Sequence, residues 1–314
     1  MVKLHLKTIT PLHISSGNEL SYNLEYILLG NRLCKLNINK ASRTIAKAQL
    51  FDFSKNYSYK DFANTIEKNK SILSDEDFDY CIHAEEPFID TIKNERSEGK
   101  KIVKEFVNSN GKFYVPGSSV KGALLTVLRR EMLGIDQQNG NISQKFVITD
   151  SELIGEENFT IDKTLNRPPA VSLITLDPNT SFTMQIRKLG EMDLDKLRKN
   201  LSSYSVNQIK KARHYVEKYT SREGMRPNGA DQFLRILENL DKDIDTDGDA
   251  YFLNIGFGGG SWFKIFGDVD PPPKFDRPKK RTSTLRDWEA HTTFAVDIEN
   301  EPYQLGWCKL KIEE

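Results

Sequence analysis

Between Phe113 and Gly134 the apolar residues change their period, and this change restricts the fold more than any other stretch. Phe113-Tyr114-Val115 reads as a short apolar strand, and Pro116-Gly117-Ser118-Ser119 breaks it. Val120, Ala123, Leu124, Val127, Leu128 and Met132 then recur with i, i+3, i+4, i+7 spacing, which predicts an amphipathic helix. Ser118 or Ser119 fits its N-cap and Gly134 its stop. Such a helix needs a sheet to lie on, and strand patterns surround it. Met1–Lys7 alternates apolar and polar residues. Glu25–Leu29 and Arg32–Asn37 flank Gly30-Asn31, a hairpin signal. Val171–Leu176 and Ser181–Lys188 flank the turn Asp177-Pro178-Asn179-Thr180 and predict a second hairpin. Hairpins mixed with helices favour an α+β fold with an antiparallel sheet over a parallel doubly wound one.

The remaining pattern is coarser. Leu12–Asn18 reads as a turn-rich loop, and helices are expected near Lys40–Leu50, Asp61–Leu73, Leu194–Leu201, Val206–Tyr219 and Gln232–Leu240. Tyr251–Ile255 and Leu305–Ile312 read as strands. No stretch approaches the ~20 apolar residues of a membrane span. Cys34, Cys81 and Cys308 are odd in number and far apart, so no disulfide framework or metal knuckle is expected and the cytoplasm is the expected compartment.

Lysine plus arginine and aspartate plus glutamate each number 45, so nucleic-acid binding must rest on local patches. Arg187–Arg226 and Pro271–Arg286 are basic, the latter through Lys274, Lys279, Lys280 and Arg281 among others, while Asp75–Glu98 is acidic. These runs imply a basic and an acidic face, or simply solvated helix faces.

Gly117-Ser118-Ser119-Val120-Lys121-Gly122 offers backbone N–H groups, hydroxyls and a cation at a helix start, the chemistry of a phosphate cradle, or else an ordinary capped helix. Lys121 precedes the second glycine, so this is not a Walker A loop. In Gly256-Phe257-Gly258-Gly259-Gly260, backbone can approach a ligand closely; Trp262 can stack a base and Lys264 can meet phosphate. The alternative is a turn with core aromatics. Asp243–Asp249 imitates the front of a calcium loop but ends on Asn254 where a glutamate is needed, and reads as an acidic surface loop. His13 is a candidate general base for RNA cleavage or a structural histidine. Nothing calls for a cofactor or a metal, and no serine nucleophile elbow is present.

Three blocks taken together resemble the RAMP superfamily of CRISPR effector subunits: Thr10–Gly17, Tyr114–Leu124 and the late glycine loop Gly256–Gly260. Their order, with the ending Pro302–Leu310, is similar to the family of fifth subunits of type III-A Csm complexes. The resemblance implies an RRM-like ferredoxin core with helical and loop insertions. It implies one unit over 1–314, with the core near 1–40, 111–190 and 250–314 and insertions near 41–110 and 191–249. It further implies a non-catalytic subunit that binds crRNA, caps its 3′-end side, and supports crRNA maturation and antiviral defence. Its partners would be other Csm subunits, above all the RAMP backbone subunit, and a host trimming nuclease, with no membrane. The implied RNA contacts are His13, Gly17, Gly117, Ser118, Ser119, Lys121, Gly122, Gly256, Gly258, Gly259 and Gly260. Arg129 and Arg130 stand one turn beyond Leu125, which occupies the place of a family arginine. Ser15 replaces the first glycine of the N-terminal block. Trp262, Lys264, Lys279, Lys280 and Arg281 add a stacking surface and cations. Two other readings stay open: a metal-independent ribonuclease with His13 as base, and a structural cap that touches RNA little.

Overall fold

The computed structural model describes residues 2–48, 58–97, 101–132, 147–164, 171–188, 194–220, 230–246, 248–257, 275–276, 281–282, 295–298 and 301–314. The chain opens with β1 (Val2–Thr8), β2 (Ser15–Ser21), β3 (Tyr26–Leu29) and β4 (Arg32–Leu36), then helices α1 (Ile38–Lys47) and α2 (Tyr59–Asn69). It continues through β5 (Phe78–His83), α3 (Glu86–Asn94), β6 (Ile102–Phe106), β7 (Asn108–Ser109), β8 (Lys112–Phe113) and α4 (Gly117–Met132). Next come β9 (Val147–Ile148), β10 (Phe159–Thr164), β11 (Ser172–Leu176), β12 (Ser181–Lys188), α5 (Leu194–Thr220) and α6 (Ala230–Thr246). The last strands are β13 (Tyr251–Asn254), β14 (Phe275–Asp276), β15 (Arg281–Thr282), β16 (Ala295–Ile298), β17 (Glu301–Gln304) and β18 (Trp307–Glu313).

The first sheet is antiparallel in the order β13-β18-β1-β12-β9. The alternation of β1 turns Leu4, Leu6 and Thr8 inward, and Leu6 sits in register between Phe182 and Leu310, all three buried. A second sheet runs β17-β16-β10-β11-β6-β2, and its β11–β6 pair is parallel. Every residue of β11 is buried, as a strand covered on both faces requires. Strand β6, within the stretch expected to be an insertion, is an interior member of this sheet.

The expected hairpin of β11 and β12 is corrected: they belong to different sheets. The turn between them is captured by the end of β1. Asn179 N–H donates to Thr8 O at 2.7 Å, and Thr8 N–H donates to Thr180 O at 2.9 Å. Asn179 takes a left-handed φ of 66°, and the chain leaves one sheet for the other. The loop expected over Leu12–Asn18 is also corrected, since β2 begins at Ser15 as an edge strand with an irregular register between Ser15 and Glu19. The helix expected to break near Ser205 continues from Leu194 to Thr220. The Ser205 hydroxyl donates back to Leu201 O at 2.8 Å and accepts from Phe252 N–H at 2.8 Å, so it ties α5 to β13. Ile209, Leu237 and Leu240 bury themselves there against Phe252 and Trp307.

A third sheet, β3-β4-β5, packs on α1 and α2 through Ile27, Leu36, Ile45, Ile66 and Phe78. Cys34 faces Cys81 across β4 and β5, with Cα atoms 4.1 Å apart, and the two are disulfide-bonded. This corrects the expectation that the cysteines form no disulfide and removes the cysteine argument for a reducing compartment; Cys308 alone is free, and it is buried. Among the described residues no helix is long and apolar enough to cross a membrane.

Candidate nucleic-acid interface

Blocks far apart in sequence meet at one backbone junction. Gly306 N–H donates to Pro11 O, Ile255 N–H to Gly306 O, and Phe257 N–H to His13 O, each at 2.8 Å. Ile9 N–H reaches Trp307 O at 2.8 Å, and Trp307 N–H reaches Thr10 Oγ1 at 3.0 Å. Gly256 and Gly306 take φ of +76° and +86°. A Cβ at Gly256 would strike His13 O, and one at Gly306 would strike Ile255 O. These glycines are therefore required by both backbone conformation and close approach. The start of the N-terminal block, the entry to the glycine loop and the C-terminal block form one structural element.

His13 lies inside this junction with no exposed surface. Its Nδ1 bonds Ile174 O at 2.7 Å; a carbonyl only accepts, so Nδ1 carries the proton and Nε2 is a buried lone pair without a partner among the described residues. The ring packs edge-on against Phe106 and Phe257. Burial pushes its pKa down to about 4, against the opposing effect of the Ile174 carbonyl. A group this deep does not meet an RNA 2′-hydroxyl in this arrangement. The unfolded chain takes up a proton near pH 6.5 and the folded one only near pH 4, so stability present above pH 6.5 falls as pH drops between those values. The loss is on the order of 3 kcal/mol at about 1.4 kcal/mol per unit. Denaturant unfolding at pH 7 and pH 4.5 should show this loss in the wild type and a smaller one in His13→Gln; equal losses would contradict the burial of a neutral imidazole.

The start of α4 departs from the expected cradle. The helix begins at Gly117, so Ser118 and Ser119 stand in its first turn, not at its cap. Gly117 N–H donates to Asp150 Oδ1 at 2.8 Å, which places a carboxylate of the chain itself at the positive end of the helix. Gly117 is glycine because a Cβ would run into Ile148 O and Thr149 O beside β9. Val120, Leu124 and Val127 are buried as the stripe predicts. Leu125 packs partly buried against the same core, which accounts for an apolar residue in place of a cation there. Ser118 and Gly122 are exposed, with Lys121 between them half-buried, and nothing lies within 4 Å of a Cβ at Gly122.

Gly17 sits in β2 at φ +90° with open space around its Cα. The Ser15 hydroxyl accepts from Gly17 N–H at 3.1 Å, so the serine that replaces a family glycine acts in shaping this turn. Arg129 and Arg130 lie toward the end of α4, and Arg281 on the two-residue β15. Gly258, Gly259, Gly260, Trp262, Lys264, Lys279 and Lys280 lie outside the described residues. Asp243 is on α6, not in a loop, and meets Lys309 Nζ at 3.2 Å. Among the described residues no three His, Cys, Asp or Glu side chains are grouped to hold a metal. Sequence reasoning missed Asp150 and Glu105. For Glu105 a signal existed: it shares a strand face with Val103, an acid where alternation calls for an apolar residue.

Residues 5–264 match the model of the RAMP superfamily. The CRISPR system Cms protein Csm5 of Methanocaldococcus jannaschii is 25% identical over 309 residues, covering 82% of this chain and 71% of that protein. The fold is similar to a chain of a Csm–crRNA–target RNA ternary complex of a type III-A CRISPR-Cas system, with a TM-score of 0.65 at 16% identity over 99% of this chain and 100% of that one. It is also similar to T. onnurineus Csm5, with a TM-score of 0.59 at 15% identity over 97% and 99%.

Proposed function

Because this chain belongs to the RAMP superfamily, we propose that it is a non-catalytic, crRNA-binding subunit of a type III-A Csm complex. In this reading it caps the 3′-end side of the crRNA, contacts the RAMP backbone subunit, supports maturation by a recruited trimming nuclease, and works in the cytoplasm. Its core would be of the RRM-like ferredoxin type with insertions. The observation that carries the reading is the backbone junction of Pro11–His13, Ile255–Phe257 and Gly306–Trp307. The junction's own backbone groups are buried and paired with one another, so it acts by setting the exposed Gly256 beside the N-terminal block. Glycine presented in this way suits a ligand held by its sugar–phosphate chain rather than by its sequence. The ribonuclease alternative loses support because its only candidate base is the buried, neutral His13.

Lys121 stands, half-buried, between the exposed Ser118 and Gly122 on α4. Lys121→Ala should weaken binding of labelled crRNA and lower the slope of log affinity against log salt by about one unit. Filter binding across a salt series reads both. An unchanged slope in the folded variant would remove Lys121 from the interface.

A further inference from the structure

One buried charge gathers donors from three elements. The Glu105 side chain on β6 is 1% exposed. Its Oε1 accepts from Lys35 Nζ on β4 at 2.6 Å and from the Tyr80 hydroxyl on β5 at 3.0 Å. Its Oε2 accepts from Ser16 Oγ at 3.0 Å and Asn18 Nδ2 at 2.8 Å, the two residues that flank Gly17 on β2. Lys35 and Tyr80 stand opposite each other across β4 and β5, directly beside the Cys34–Cys81 bridge. The bridge thus fixes the pair that holds Glu105, and Glu105 holds the turn. Gly17, Asn18, Lys35 and Asp79 also line a polar groove of about 1130 Å³ that opens beside this turn.

A buried ion pair is weak ground for stability, since apolar residues of similar volume often serve as well or better. A carboxylate here does what leucine cannot: it fixes a hydroxyl and a carboxamide on either side of a left-handed glycine. We propose that Glu105 is a positioning residue that holds Ser16-Gly17-Asn18 in the shape that meets RNA, with the Cys34–Cys81 bridge as its brace. This rests on the RNA-binding reading above.

The test uses full-length protein and a 4-thiouridine-substituted single-stranded RNA, with crosslinked peptides quantified separately for the Gly17 turn and for Gly117–Gly122. Glu105→Gln should reduce crosslinking at the turn about fivefold, corresponding to roughly 1 kcal/mol, and leave Gly117–Gly122 crosslinking unchanged. Ser16→Ala with Asn18→Ala should do the same, and the combined variant should be no worse than either, because all act through one contact set. If Glu105→Gln does not fold, Lys35→Met with Glu105→Leu keeps the site apolar and should fold while still losing the turn crosslinks. Turn crosslinks unchanged in a folded variant, or falling equally at both sites, would overturn the role of Glu105. Wild-type protein that crosslinks at Gly117–Gly122 but never at the turn would overturn this inference alone; wild-type protein that binds no RNA would overturn the functional reading and this inference with it.

Discussion

Gly256→Val should destabilise the protein by about 4 kcal/mol, combining the cost of a β-branched residue in the left-handed region with overpacking. The position has φ +76°, and a Cβ there collides with His13 O while crowding Ile14 and Leu12. The carbonyl is not free to withdraw, because it accepts from Phe257 N–H one residue away. The substitution must therefore break the junction between the N-terminal block and the glycine loop. Gly122→Ala is the internal control: its Cβ points into open space within a helix, and a change of at most about 1 kcal/mol, in the stabilising direction, is expected. Urea unfolding of both variants measures the difference. Equal midpoints would mean that Gly256 is only a convenient turn residue.

Reducing the Cys34–Cys81 bridge should have an effect of similar size by a different route. The bridge closes a loop of 47 residues. In the chain-entropy account, a loop of this length contributes about 4 kcal/mol by restricting the unfolded chain. Dithiothreitol, or Cys34→Ser with Cys81→Ser, should lower the unfolding free energy by about that amount, with the loss centred on β3-β4-β5 and its helices. Thiol titration of denatured, unreduced protein should find Cys308 alone; finding all three thiols would show that the bridge does not form.

The parts of this architecture that were legible in sequence are those set by local periodicity. The stripe from Val120 to Val127 produced α4, and Gly30 between two apolar runs produced the β3–β4 hairpin. What was not legible depends on which segments meet. Nothing local distinguishes a turn that closes a hairpin from one that Thr8 pulls into another sheet. Nothing local places Asp150 at the start of α4, where its carboxylate accepts from Gly117 N–H. The Cys34–Cys81 bridge likewise requires β4 and β5 to pair, and β5 was hidden in a polar, acidic stretch. The candidate site behaves the same way: the N-terminal block, the glycine-loop entry and the C-terminal block were visible as strings, but their union at the Pro11–Gly306 and His13–Phe257 hydrogen bonds belongs to the fold.

In the proposed reading, RNA lies against the surface that this junction sets in place and against the exposed face of α4. The most direct measurement is to assemble the effector complex on a 4-thiouridine-substituted crRNA, irradiate it, and map the crosslinked peptides of this chain. The account predicts crosslinks in the peptides that carry Pro11–Gly17, Gly117–Gly122 and the segment following Gly256. An assembled complex whose other subunits crosslink efficiently while this chain crosslinks nowhere, or only within the acidic stretch Asp75–Glu86, would contradict it and leave a protein-contacting cap in its place.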